Sequence, residues 1–183
     1  EMVDIQRQFH EELLRKKEWA EKRYSIDDTH RLLWLHLPPF YDTKVLDYIE
    51  TTCNAPIAFE EVNFVNWDLL NPEDPYRSLA RKLLTVGYLD PRLRVRYIVE
   101  TAQKAKFNGC VLYNHGFGRC SLSDSCFAKH LREELDEVGL PLLTLDGDCM
   151  DPTTDPCSTL TKVSSFVESL NSSKYGNMFG RMK

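Results

Sequence analysis

Apolar residues in this chain follow two periodicities. Unbroken apolar runs at Arg31–Leu37 (RLLWLHL), Pro56–Phe59 (PIAF), Cys110–Tyr113 (CVLY) and Pro141–Leu145 (PLLTL) have strand length and predict strands buried on both faces. Pro38 and Pro39 end the first of them, since proline cannot donate to a ladder. Elsewhere apolar positions recur every three or four residues. Ile5, Phe9 and Leu13 predict an amphipathic helix over residues 1–24, a stretch dense in Glu, Lys, Arg and Gln. Val45, Leu46 and Ile49 predict another over Tyr41–Thr52, and residues 60–73 read as irregular. Helices at Tyr76–Thr85 and Pro91–Lys106 follow, the second with proline at a tolerated first position. The strongest stripe is Leu122, Cys126, Phe127, Leu131, Leu135 and Val138, in a helix expected over Ser121–Val138. Ser121 and Asp124 resemble a capping box at its start, and Gly139 stops it. A last helix is expected over Ser158–Leu170, with 171–183 as a loose tail.

Strands that alternate with helices, each strand apolar throughout, imply a parallel sheet covered on both faces. The fold class is therefore α/β: a three-layer, flavodoxin- or Rossmann-like domain of four parallel strands in the order 2-1-3-4. Residues 1–28 read as an amphipathic helix linking to a preceding N-terminal domain, 29–171 as the α/β domain, and 172–183 as the tail. Helical patterning begins at Glu1 with no initiator Met, so the sequence reads as an excised piece of a longer chain. Ligands of such sheets sit beyond the carboxyl ends of the strands, where the strand order reverses. Strands one and three flank that point, which singles out His36–Phe40 and Asn114–Cys120.

Composition narrows the class. A length of 183 residues supports one core rather than two. A net charge of −5, with basic residues mixed among acids on helix faces, argues against nucleic acid. The apolar runs are too short to cross a bilayer, and no signal peptide is visible. Six cysteines without a CxxC pair point to a reducing, cytoplasmic setting rather than a disulfide framework.

The segment Asn114-His115-Gly116-Phe117-Gly118-Arg119-Cys120 leads from strand three into the strongest helix. A thiol at a helix N-terminus meets the positive end of the dipole, which favours the thiolate that binds iron or attacks electrophiles. Gly116 and Gly118 would admit a bulky group close to the backbone. The competing reading is that Cys120 is a small buried residue. Other constellations are weaker. Cys126-x5-Arg132 has phosphatase-loop spacing but lies on the apolar stripe. GFG lacks the third glycine of a dinucleotide loop. Asp146, Asp148, Asp151 and Asp155 fit no calcium-binding pattern and read as a solvated, helix-capping loop. His36 and His115 are either proton donors or structural hydrogen-bonding residues.

Taken in order, these segments resemble the C-terminal part of the 2-hydroxyacyl-CoA dehydratase and benzoyl-CoA reductase family, in a D-component-like subunit. Its members show a strand like "DGVI", matched by Asn108-Gly109-Cys110-Val111-Leu112, then a loop with one cysteine, matched by Cys120. "GIPVLVIDGD" is matched by Gly139–Asp148, "TRIEAF" by Thr161–Phe166, and "DPLEALA" by Asp74–Ala80. RLLWLHLPP and Ile57–Glu61 fall in the expected order. The likeness covers most of residues 30–170. Cys110 for valine, Cys53 for glycine and Lys162 for arginine are departures, which mark a divergent member and leave the substrate open.

The resemblance implies a four-iron, four-sulfur cluster held by three cysteines, two from the N-terminal domain and the third matched by Cys120. It also implies a second dehydratase subunit and an ATP-hydrolysing iron–sulfur activator that injects one low-potential electron. The acyl-CoA substrate then loses its hydroxyl through a ketyl radical. Cys120 is thus the expected metal ligand, and His36, Asn114, His115, Gly116, Gly118, Arg119, Ser121 and Asp146 the expected lining of the cleft. One thiolate cannot retain a cluster, so the isolated chain is expected to be iron-free and inactive. Close alternatives are a benzoyl-CoA reductase or double-cubane-type reductase subunit. An alternative of another class is a flavodoxin-like interaction scaffold without a cluster.

Overall fold

The structure, a computed structural model, describes residues 2–23, 30–63, 70–85, 90–115, 118–150 and 156–180. Side chains are described in those ranges except at 118–126, 156 and 173–180; within the first helix only those of residues 5, 7–16 and 18 are described. Four strands, β1 (Leu32–Leu35), β2 (Ile57–Glu60), β3 (Gly109–His115) and β4 (Leu142–Gly147), form one sheet in the order β2-β1-β3-β4. All three pairings are parallel. The expected class and strand order both hold.

Period-two alternation divides the strand residues between two cores. Leu33, Leu35, Cys110 and Leu112 face the helices α4 (Pro91–Ala105) and α5 (Gly118–Glu137), where they meet Val95, Ile98, Ala102, Phe127, Leu131 and Leu135. Leu32, Trp34, Val111, Tyr113 and Leu145 face the other way. There they meet Ile49, and Val163, Val167 and Leu170 of α6 (Pro156–Gly180). Ile49 lies in a widened turn, Tyr48–Thr52, that continues the short α2 (Lys44–Asp47). Cys53 N–H closes that turn on Tyr48 O at 3.0 Å. The two central strands, β1 and β3, are buried on both sides, which is why they read as continuous apolar runs, whereas the edge strand β2 is only half-buried.

Element ends depart from expectation where a neighbour overrules local sequence. β1 stops at Leu35 because His36 takes a φ of 72°, outside extended backbone. β3 and β4 run two residues further than their apolar runs. Asn114 pairs with Asp146 and His115 with Gly147, so the ladder continues while the side chains turn polar. A register shift between Leu32 and Leu33 pairs Leu32 with Ile57 but Leu33 with Phe59, leaving Ala58 as the extra residue of a bulge. Hence Ile57 joins one core and Phe59 the other.

The strongest helix begins at Gly118, so Ser121 lies inside it and cannot be its N-cap. Its stop is as expected: Gly139 has φ 71°, and Leu140 N–H returns to Leu135 O at 2.9 Å. α6 runs to Gly180, well past the Leu170 expected, and takes in most of the segment read as a tail. α1 (Met2–Arg23) leaves Ile5, Phe9, Leu13 and Leu14 exposed, as does α3 (Pro75–Leu84) its Leu79, Leu83 and Leu84. Among the described residues, no helix is long and apolar enough to cross a membrane.

Candidate functional site

The carboxyl ends of β1 and β3 bring two histidines together. The rings of His36 and His115 lie with centroids 4.4 Å apart, tilted by 50°. They continue a ring stack from the core, since Tyr113 sits edge-on to His115 at 5.4 Å and stacks on Trp34 at 5.7 Å. His115 is buried, and both its ring nitrogens are engaged. Cys149 N–H donates to Nδ1 at 3.2 Å, so Nδ1 must be unprotonated; the proton therefore sits on Nε2, which reaches Leu37 O at 3.1 Å. Through these two bonds the imidazole ties β3 to the segments that follow β1 and β4.

His36 is held differently. Its backbone N–H donates to Glu61 Oε2 at 3.0 Å. Glu61 in turn accepts from Arg94 Nε at 2.5 Å and Nη2 at 2.8 Å, and the Arg94 guanidinium lies 3.9 Å from the Phe127 ring centre. Glu61 and Arg94 are both buried. The bulge in β2 is what carries Phe59 onto the α4 and α5 side, and Glu61 follows with the same parity. The pair therefore pins the left-handed His36 from beneath the sheet edge. The His36 pKa falls from 6.5 to about 4, first through burial, then through His115 and Arg94, with Glu61 opposing. Its Nδ1 has no hydrogen-bond partner among the described residues.

On the β3–β4 side, Asn114 Nδ2 donates to Asp146 Oδ1 at 3.1 Å, and Lys162 of α6 stands 4.0 Å from Asp146 Oδ2. The turn beyond β4 packs across the same edge. Tyr113 O–H donates to Asp148 O at 3.3 Å, Phe40 N–H to Cys149 O at 3.0 Å, and Met150 N–H to Asp148 Oδ1 at 2.7 Å. Burial raises the Tyr113 hydroxyl above its ordinary range.

This edge is where open parallel sheets generally hold a ligand, and it carries His36, Asn114, His115 and Asp146 from among the residues singled out from sequence. A family model for the 2-hydroxyglutaryl-CoA dehydratase D-component matches residues 1–170. The chain belongs to that family. No curated protein matches it. The D-component chain is accordingly a 2-hydroxyacyl-CoA dehydratase-type subunit.

Within this D-component subunit, the structure brings His36 to His115 and Asn114 to Asp146. Gly118, Arg119, Cys120 and Ser121 form the opening turn of α5 by backbone, three residues on from His115 at their start, and their side chains lie outside the described residues. Gly116 and Phe117 also lie outside them. Cys126 cannot be placed on the stripe for the same reason. Cys110, a departure from the family pattern, is a core thiol whose pKa burial pushes up to about 12, so it is inert. Among the described cysteines, Cys53, Cys110, Cys149 and Cys157 are unbridged.

Sequence reasoning did not single out Glu61 or Arg94. It also passed over Asp148 and Cys149 as a partner set for His115. With β3 and β4 adjacent in the order 2-1-3-4, residues just past the end of β4 must meet the end of β3; that was the available clue.

Proposed function

We propose that the chain is the C-terminal domain of an iron–sulfur subunit of a 2-hydroxyacyl-CoA dehydratase, acting in the cytoplasm with a second subunit and an ATP-dependent iron–sulfur activator. The observation that carries this reading is the family match, which spans the start of α5 and Cys120. Cys120 would supply one thiolate to a four-iron, four-sulfur cluster whose other ligands come from a preceding domain. The donor chemistry fits: Cys120 stands in the first turn of α5, where the helix dipole favours thiolate, and the neighbouring edge is lined by polar and sulfur-bearing residues. The bound cluster would supply a low-potential electron to an acyl-CoA thioester.

The chain's own residues do the positioning. His115 clamps Leu37 and Cys149, keeping the loops after β1 and β4 closed against β3. His36, neutral above about pH 4, offers an uncharged nitrogen at the same mouth. Asn114, Asp146 and Lys162 give the edge a polar rim. A non-enzymatic scaffold is the competing reading, favoured by the exposed apolar stripe of α1, which suits packing against another domain or subunit.

The test is anaerobic reconstitution of the longer protein with iron and sulfide, read by iron content and by Mössbauer or EPR spectra. Cys120→Ser is expected to lower cluster occupancy and alter the spectrum, whereas Cys110→Ser is not. Equal spectra for the parent and Cys120→Ser would refute the ligand assignment. No iron in the parent would favour the scaffold.

A further inference from the structure

We propose that His115, Asp148 and Cys149 form a binding site for one divalent transition-metal ion of the zinc type. The inference does not rest on the cluster reading, and Cys120 is not part of the site. The three side chains each place one ligand atom within 4.8 Å of the other two. Tetrahedral bonds of about 2.0–2.3 Å to nitrogen, oxygen and sulfur put ligand atoms about 3.3–3.8 Å apart. A contraction of about 1 Å, shared by three side chains, therefore closes the site.

The donor set chooses the ion. A nitrogen, an oxygen and a sulfur suit zinc and its neighbours, whereas calcium and magnesium take oxygen ligands in larger number. Thiolate and carboxylate together balance the charge of a divalent ion. His115 arrives already oriented, because Nε2 is tied to Leu37 O and Nδ1 is turned toward Cys149. A histidine that ligates through one nitrogen and gives its other N–H to a backbone carbonyl is the usual arrangement around bound zinc. Ligation exchanges the 3.2 Å bond from Cys149 N–H for the metal at Nδ1. Asp148 and Cys149 are adjacent, and the backbone that carries them is fixed by Tyr113 and Phe40. Asp148 Oδ1 accepts from Met150 N–H at 2.7 Å, which holds the carboxylate in place. Three protein ligands leave a fourth position for water or for an oxygen of a bound ligand. That position falls at the carboxyl edge of the sheet, beside the His36–His115 pair.

Cobalt(II) reports this site directly. The chelator-treated chain, titrated with Co2+, is expected to bind one equivalent with visible d–d bands and a near-ultraviolet thiolate charge-transfer band, and Zn2+ is expected to displace both. Cys149→Ser should abolish the charge-transfer band. Asp148→Asn, nearly isosteric, should weaken Zn2+ at least tenfold, with circular dichroism unchanged before metal is added. Cys120→Ser should leave every signal intact, although it disturbs the cluster if the proposed function holds. A charge-transfer band that survives Cys149→Ser or vanishes in Cys120→Ser overturns the site, as does the absence of stoichiometric uptake.

Discussion

Removing the Glu61 carboxylate should be the most damaging polar change in the described part of the domain. Glu61→Gln keeps the side-chain shape but removes the negative charge that faces the Arg94 guanidinium, whose Nε and Nη2 both donate to that carboxylate in a buried setting. The same carboxylate accepts the His36 backbone N–H, so a third bond weakens and the strained φ of 72° loses its anchor. Breaking a buried ion pair by removing the charge of one member costs about 3–5 kcal/mol, against a total stability of about 5–15 kcal/mol for a domain of this kind. Urea unfolding at pH 7, with the slope held constant, reads the difference. The sharper comparison is a double-mutant cycle. Glu61→Leu and Arg94→Leu should each cost about 3–5 kcal/mol, while the double variant removes both charges and should lose only about 1–3 kcal/mol for the orphaned His36 N–H. Single-variant costs that simply add in the double, to within about 0.5 kcal/mol, would show that the pair is not coupled and refute the argument.

Stability should also respond to acid through His36. Its folded pKa of about 4 lies below the ordinary 6.5, so the unfolded chain binds more protons between these values. The contribution is whole above pH 6.5 and is lost as pH falls toward 4; the urea midpoint of the parent should drop across that window more than that of His36→Asn, which tolerates the left-handed backbone. Equal slopes for the two would contradict it. Gly147→Ala drives a methyl into the Tyr113 hydroxyl oxygen and to 2.6 Å from Cζ, so overpacking should lower stability by about 1–3 kcal/mol by thermal melting. Lys106 ends α4 at φ 54° and ψ 51°, and Lys106→Gly should raise the melting temperature, worth about 0.5–1 kcal/mol, because glycine adopts that conformation without a Cβ clash.

Legibility followed the range of the forces involved. Runs such as Leu32–Leu35 and Cys110–Tyr113 are apolar because helices cover both faces of each strand, and so they announce a parallel sheet directly. The helix stop at Gly139 was equally readable, since a left-handed residue after the last turn is a local need. The start of α5 was not. Ser121 and Asp124 look like a cap, yet the chain turns helical at Gly118, straight after β3. Arg94 was passed over for a related reason: one basic residue among Arg92, Arg94 and Arg96 looks like its neighbours until Glu61 arrives from β2.

By itself, the sequence determined the class, the strand order and the family, because each is written in local periodicity or in ordered motifs. Tertiary structure alone decided what gathers at the carboxyl edge of the sheet. The bulge at Ala58, the ladder extension to His115 and Gly147, and the tautomer of His115 each depend on a partner distant in the chain. Hydrogen bonds and ion pairs act over a few ångströms, so they are specified only once folding has set those distances.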